Sequence, residues 1–185
     1  MFWGGNWMDA AIPCQISGRM GARKYFRRPD ARDTLMPPIA PNPERRARWR
    51  NDWLSSIEEL ANLDMQRATW LNLTNANPHY SYIEYLECYF TDLCLSDGYA
   101  ARVADGFLSS DEAAAASQLH SLLDRYKPPT DEFDRQAILQ DPRWLQVVSA
   151  AKVAQAMLAT MLNDPEERKS LLIPSEYAFA AARPV

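Results

Sequence analysis

The sequence predicts an all-α fold: a single-domain bundle of about five to six helices with short connections and an irregular N-terminal segment. Three observations carry that prediction. Between positions 44 and 163, apolar residues recur at three- and four-residue steps, the stripe of an amphipathic helix. Asx-Pro pairs and the run Ser109-Ser110-Asp111-Glu112 mark helix starts, because a short polar side chain caps the first turn and proline has no N–H to waste there. No segment joins two-residue alternation to a hairpin turn signal, so a bundle is expected rather than an α/β fold.

Residues 1–43 carry no sustained period, and Pro29, Pro37, Pro38, Pro41 and Pro43 break their later part. Within them Arg19 to Arg28 is a basic run around Tyr25 and Phe26. Such a run can contact phosphate or an anionic membrane surface. The plainer reading is a solvated lead, or one lying on the rest of the protein.

The first helix is expected over 44–72, with Trp49, Trp53, Ile57, Leu60, Leu63 and Trp70 on its stripe. Asn77-Pro78 reads as the start of a second helix over 78–95, with Ile83, Leu86, Phe90, Leu93 and Cys94 facing inward. A short helix over 98–105 should end at Gly106, and the capping box at Ser109 and Glu112 should open a helix to Tyr126. After Lys127-Pro128-Pro129, a helical turn over 134–140 precedes a long helix from Asp141-Pro142 to Asn163. Asp164-Pro165-Glu166-Glu167 starts a last short helix to Leu172. The domain is thus expected over 44–174, followed by a loose tail over 175–185.

Charge is unevenly divided along the chain. The net charge is −4, yet residues 1–50 hold ten Lys/Arg against four Asp/Glu (+6), and residues 51–185 hold ten against twenty (−10). A basic lead on an acidic body suggests different tasks for the two parts, and the acidic body argues against specific nucleic-acid binding. Three cysteines, Cys14, Cys88 and Cys94, form no disulfide framework, which points to a reducing compartment. With no apolar run of about 18 residues and no secretory leader pattern, a cytoplasmic protein without a membrane span is expected.

Tests for chemistry are mostly negative. A di-iron bundle needs Glu-x-x-His, but Ala76 and Ser117 stand three residues before His79 and His120. Zinc would have to recruit Cys88, Cys94, His79 and His120 without short spacing. Cys88 has Glu84 and Glu87 as sequence neighbours, the wrong charge to activate a thiol. No nucleophile elbow and no glycine-rich phosphate loop occurs. No metal or cofactor is therefore expected.

One segment stands out: residues 77–92 are rich in tyrosine and acid. Tyrosine brings contact area at little entropic cost, and carboxylates steer cationic partners. The expectation is a non-enzymatic protein-binding module, acting as a small immunity protein or antitoxin does on a basic partner, through Tyr80, Glu84, Glu87, Thr91 and Asp92. The competing structural reading is that the tyrosines fill the bundle. A second functional reading is an enzyme or small-ligand binder with a pocket lined by Trp53, His79, Tyr82, Tyr89, His120 and Trp144. A third is a structural subunit of a larger assembly.

Overall fold

Asn42 opens the first helix: its side-chain oxygen accepts from the Glu44 amide at 2.9 Å and the Arg45 amide at 3.4 Å, with Pro43 in the first turn. The computed structural model describes residues 41–75 and 77–182, so the basic segment expected over 1–43 lies almost wholly outside the described residues. The described chain is all-α and forms a single domain: α1 (Pro43–Ala61), α2 (Leu63–Trp70), α3 (Tyr82–Leu86) running into a π-helical turn (Glu87–Asp92), α4 (Ala100–Ala104), α5 (Ser110–Arg125), α6 (Arg135–Gln140), α7 (Pro142–Met161), α8 (Pro165–Leu172) and α9 (Glu176–Ala181). No strand occurs among the described residues.

The long helix α7 is the central strut, packed by α5, α1 and α8; α2 holds α6 and α9. Trp49, Trp53, Trp70 and Trp144 are essentially inaccessible. Trp49 stacks on Trp53 at 6.0 Å, and Trp70 meets Trp144 at 5.7 Å. The indole N–H groups of Trp49 and Trp144 are satisfied by the Leu93 carbonyl and by Gln66 Oε1. A buried ionic node ties three helices together. Arg50 of α1 donates to Glu112 of α5 at 2.6 and 3.2 Å, to Glu167 of α8 at 2.6 and 2.9 Å, and to the Phe107 carbonyl.

Local signals placed several boundaries well. The capping box is complete, with Ser109 Oγ accepting from the Glu112 amide and Glu112 Oε2 from the Ser109 amide. Asp141 and Asp164 cap α7 and α8 ahead of their prolines, and Gly106 follows α4 with φ +76, a conformation suited to glycine. Ser109→Ala is expected to lower stability by about 1 kcal/mol in urea unfolding. An unchanged midpoint would mean that the grip of Arg50 on Glu112 holds this helix start without the cap.

Three boundaries differ from the sequence expectation. The helix expected over 44–72 breaks at Asn62, whose backbone leaves helical geometry (φ −99, ψ 74) while its side chain caps α2 through the Met65 amide and donates to Glu58. The helix expected from Pro78 begins instead at Tyr82, capped by Ser81; Asn77 spends its side-chain oxygen on the His79 amide in a tight turn. The stretch 175–182, expected to be loose, forms α9, capped by Ser175 and anchored by buried Ala178 and Ala181. Together these breaks give more helices than the five or six expected.

Candidate functional site

The segment from His79 to Asp92 lies along one flank of the bundle and turns its rings inward. Tyr85 packs edge-on to Trp70 at 5.3 Å, and Tyr82 sits between Tyr126 and Trp144. Tyr89 shares a short hydroxyl contact with Tyr99. Burial pushes the phenols of Tyr85 and Tyr89 well above their ordinary value, so both stay neutral. Tyr80, expected on a partner surface, is 2% exposed, and its hydroxyl meets Ser175 Oγ at 3.0 Å. Its ring belongs to the core. Glu87, Thr91 and Asp92 remain exposed and Glu84 half-buried, so the outer edge is acidic without the tyrosines.

The helix changes its winding at the end of this segment. The π turn admits an extra residue per turn, seen in the Leu93 amide bonding to the Cys88 carbonyl and the Leu95 amide to the Phe90 carbonyl. Tyr82, Tyr85 and Tyr89 stand at ordinary helical steps of three and four residues, and theirs is the buried face, whereas Ile83, Leu86 and Phe90, expected to face inward, are only half-buried.

Of the side chains expected to line a pocket, four lie in the core and the two histidines have separate neighbours. Trp53, Tyr82, Tyr89 and Trp144 are core residues at 4% exposure or less. His120 lies among Tyr89, Phe90 and Tyr99, where burial depresses its pKa and keeps it neutral. Its buried Nδ1 has no hydrogen-bond partner among the described residues. A cleft of about 210 Å³ opens elsewhere, at the α1–α2 break, lined by Glu58, Asn62, Asp64, Lys152, Gln155 and Leu172. Burial pushes the Glu58 carboxyl up to about 7, against the hydrogen bond it accepts from Asn62.

His79 has a different setting from its expected pocket role. Its Nε2 lies 2.8 Å from Glu59 Oε1, and its Nδ1 lies 3.8 Å from Cys88 Sγ. Its ring is held edge-on by Tyr80 at 4.9 Å and tilted against Tyr85 at 5.8 Å. Burial works against its charge, but the contacts with Cys88 and Glu59 outweigh burial and push its pKa up to about 10. No protein-family model, curated protein or solved structure matches this chain. The arrangement must be read from its own chemistry.

That chemistry is a relay of thiol, imidazole and carboxylate. The imidazole stands between sulfur and carboxylate, one on each ring nitrogen, so the three do not converge on a point. Among the described residues, no group of three or more His, Cys, Asp or Glu could hold a metal ion. The sequence pairs Cys88 with His79 only among zinc ligands of unsuited spacing, and the acidic neighbours of Cys88 argue against an active thiol. His79 is 9 residues before Cys88, across a tight turn that no helical spacing anticipates, and Glu59 is 20 residues before His79 on another helix. No local signal announces the trio.

Proposed function

We propose that the chain is a non-enzymatic protein-binding module of the cytoplasm whose acidic flank covers a basic protein, as a small immunity protein or antitoxin would. The observation that carries this reading is the sorting of residues 80–92. Their tyrosines enter the core, while Glu84, Glu87, Thr91 and Asp92 stay on the outer edge. Residues 51–185, to which this edge belongs, carry a formal charge of −10 (ten Lys/Arg, twenty Asp/Glu), so the field there favours cationic partners.

The test compares wild-type protein with the triple variant Glu84→Lys, Glu87→Lys, Asp92→Lys, each used to capture proteins from native lysate at about 0.1 M and about 1 M salt, where the Debye length falls to about 3 Å. The expected result is one basic partner held by wild type at low salt and released at high salt. The variant, folded by circular dichroism, should bind it about 100-fold more weakly, because like charges now face each other. A partner held equally by the variant would sink the reading. The alternative, a small-ligand protein, is favoured by the polar cleft at Glu58, Asn62 and Lys152.

A further inference from the structure

Cys88 is half-buried on the π turn, with its sulfur directed at an imidazole that a carboxylate orients from the far side. This is the order nucleophile, base, orienting group that activates a weak nucleophile. With Nε2 2.8 Å from Glu59 Oε1, Nδ1 is the nitrogen that faces sulfur, at 3.8 Å. With the Cys88 proton moved to Nδ1, the resulting imidazolium faces the thiolate at one nitrogen and the Glu59 carboxylate at the other. The protonated state of His79 is itself favoured by these two neighbours. A cation placed against sulfur supplies what the acidic sequence neighbours could not.

The surroundings narrow the electrophile. Cys88 is half-buried, so a reagent can reach it from solution, and a small one meets least obstruction from the packed bundle. Disulfide exchange develops charge on sulfur alone and needs no oxyanion hole, unlike acyl transfer. Glu84 lies one helical turn before Cys88 and Glu87 immediately precedes it, so anionic reagents are repelled and cationic ones drawn in.

We propose that Cys88, activated by His79 and Glu59, is a thiol–disulfide exchange site that takes small disulfides with cationic arms. The Cys88 thiolate attacks one sulfur of the reagent, a new S–S bond forms, and the reagent's own S–S bond breaks. The departing thiolate takes up the proton carried by His79. The chain gains one mixed disulfide and one equivalent of small thiol is released, so no other oxidant is required.

The experiment follows reaction of the full chain with cystamine and with dithiodipropionate, reagents of similar size and opposite charge, and locates the adduct by peptide mass spectrometry. At pH 6 an ordinary thiol is about 0.3% thiolate. After allowing for the weaker nucleophilicity of a stabilised thiolate, Cys88 should react with cystamine about tenfold faster than N-acetylcysteine. Cystamine should outpace dithiodipropionate in low salt, and Glu84→Gln with Glu87→Gln should narrow that preference. His79→Gln should bring Cys88 to the rate of the reference thiol, with Glu59→Gln in between.

The wild-type pH profile guards against variants that fail to fold. The groups facing His79 are Glu59 on α1, Cys88 on the π turn, and the rings of Tyr80 and Tyr85. With these in place the Cys88 rate should climb less steeply between pH 6 and 8 than that of N-acetylcysteine, whose thiolate fraction rises about 75-fold. A rate that climbs like the reference thiol, or a folded His79→Gln protein as reactive as wild type, overturns the proposal. Equal rates for the two reagents overturn its charge preference. All these rates are read without any protein partner, so their failure and that of the partner reading are separable.

Discussion

Replacing Arg50 with alanine is expected to remove about 3–5 kcal/mol of stability, the usual consequence of stranding a buried carboxylate, here Glu112. Arg50 is 4% exposed, and its guanidinium is the shared partner of Glu112 and Glu167. Without it, Glu112 keeps only its capping-box contacts at Ser109, and α1, α5 and α8 lose their common tie. Breaking one partner costs more than the set contributes relative to an apolar replacement, because the remaining charge stays buried. The sign with pH comes from Glu112. Burial alone would raise its pKa, but Arg50 and the Ser109 contacts hold it below the ordinary 4.5. A depressed carboxyl adds stability above its unfolded value and loses it as pH falls through the folded one. The gap between wild type and Arg50→Ala should therefore shrink between pH 7 and pH 3 in urea titrations. An equal gap at both pH values would show that packing of the arginine stem, not its charge, carries the effect.

Trp144→Ala should cost about as much, roughly 3–5 kcal/mol, through a different mechanism. The indole is wholly buried among Trp70, Tyr82 and Tyr126, with ring centroids 5.1 to 5.7 Å away. Its N–H donates to Gln66 Oε1 at 3.0 Å, and Gln66 in turn donates to the Glu59 and Leu60 carbonyls near the end of α1. Truncation opens a cavity and strands the Gln66 oxygen together. Trp144→Phe separates the two effects. It keeps much of the ring and loses the donor, for an expected cost nearer to about 1–3 kcal/mol from the unsatisfied acceptor, plus a smaller packing loss. Thermal or urea unfolding of both variants checks the order. If Phe proved as damaging as Ala, the hydrogen bond would dominate the site.

The same contrast between local and distant contacts explains how much of the protein was legible in its sequence. A helix cap is completed within three or four residues, so Ser109, Asp141 and Asp164 announced α5, α7 and α8. The stripe of α1 was equally plain, since Trp49, Trp53, Ile57 and Leu60 all reach the core. Asn77-Pro78 misled because two caps lay within four residues, and Ser81, bonded to the Glu84 amide, opened the helix. Asn62 hid the break after α1, because an asparagine inside a periodic run looks like any polar position until its side chain caps the next helix.

By itself, then, the sequence determined the all-α class, most helix starts, the tryptophan stripe and the uneven charge. These arise from period and capping, which act within one or two turns. Only the tertiary structure decided which face of residues 80–92 turns inward, because that depends on the aromatic surfaces of Trp70 and Trp144 that receive Tyr85 and Tyr82. It also brought Arg50 to Glu112 and Glu167, 62 and 117 residues away, and His79 to Glu59 and Cys88. Side chains so far apart in sequence meet only after the helices have packed, and packing responds to shape and volume across the whole core.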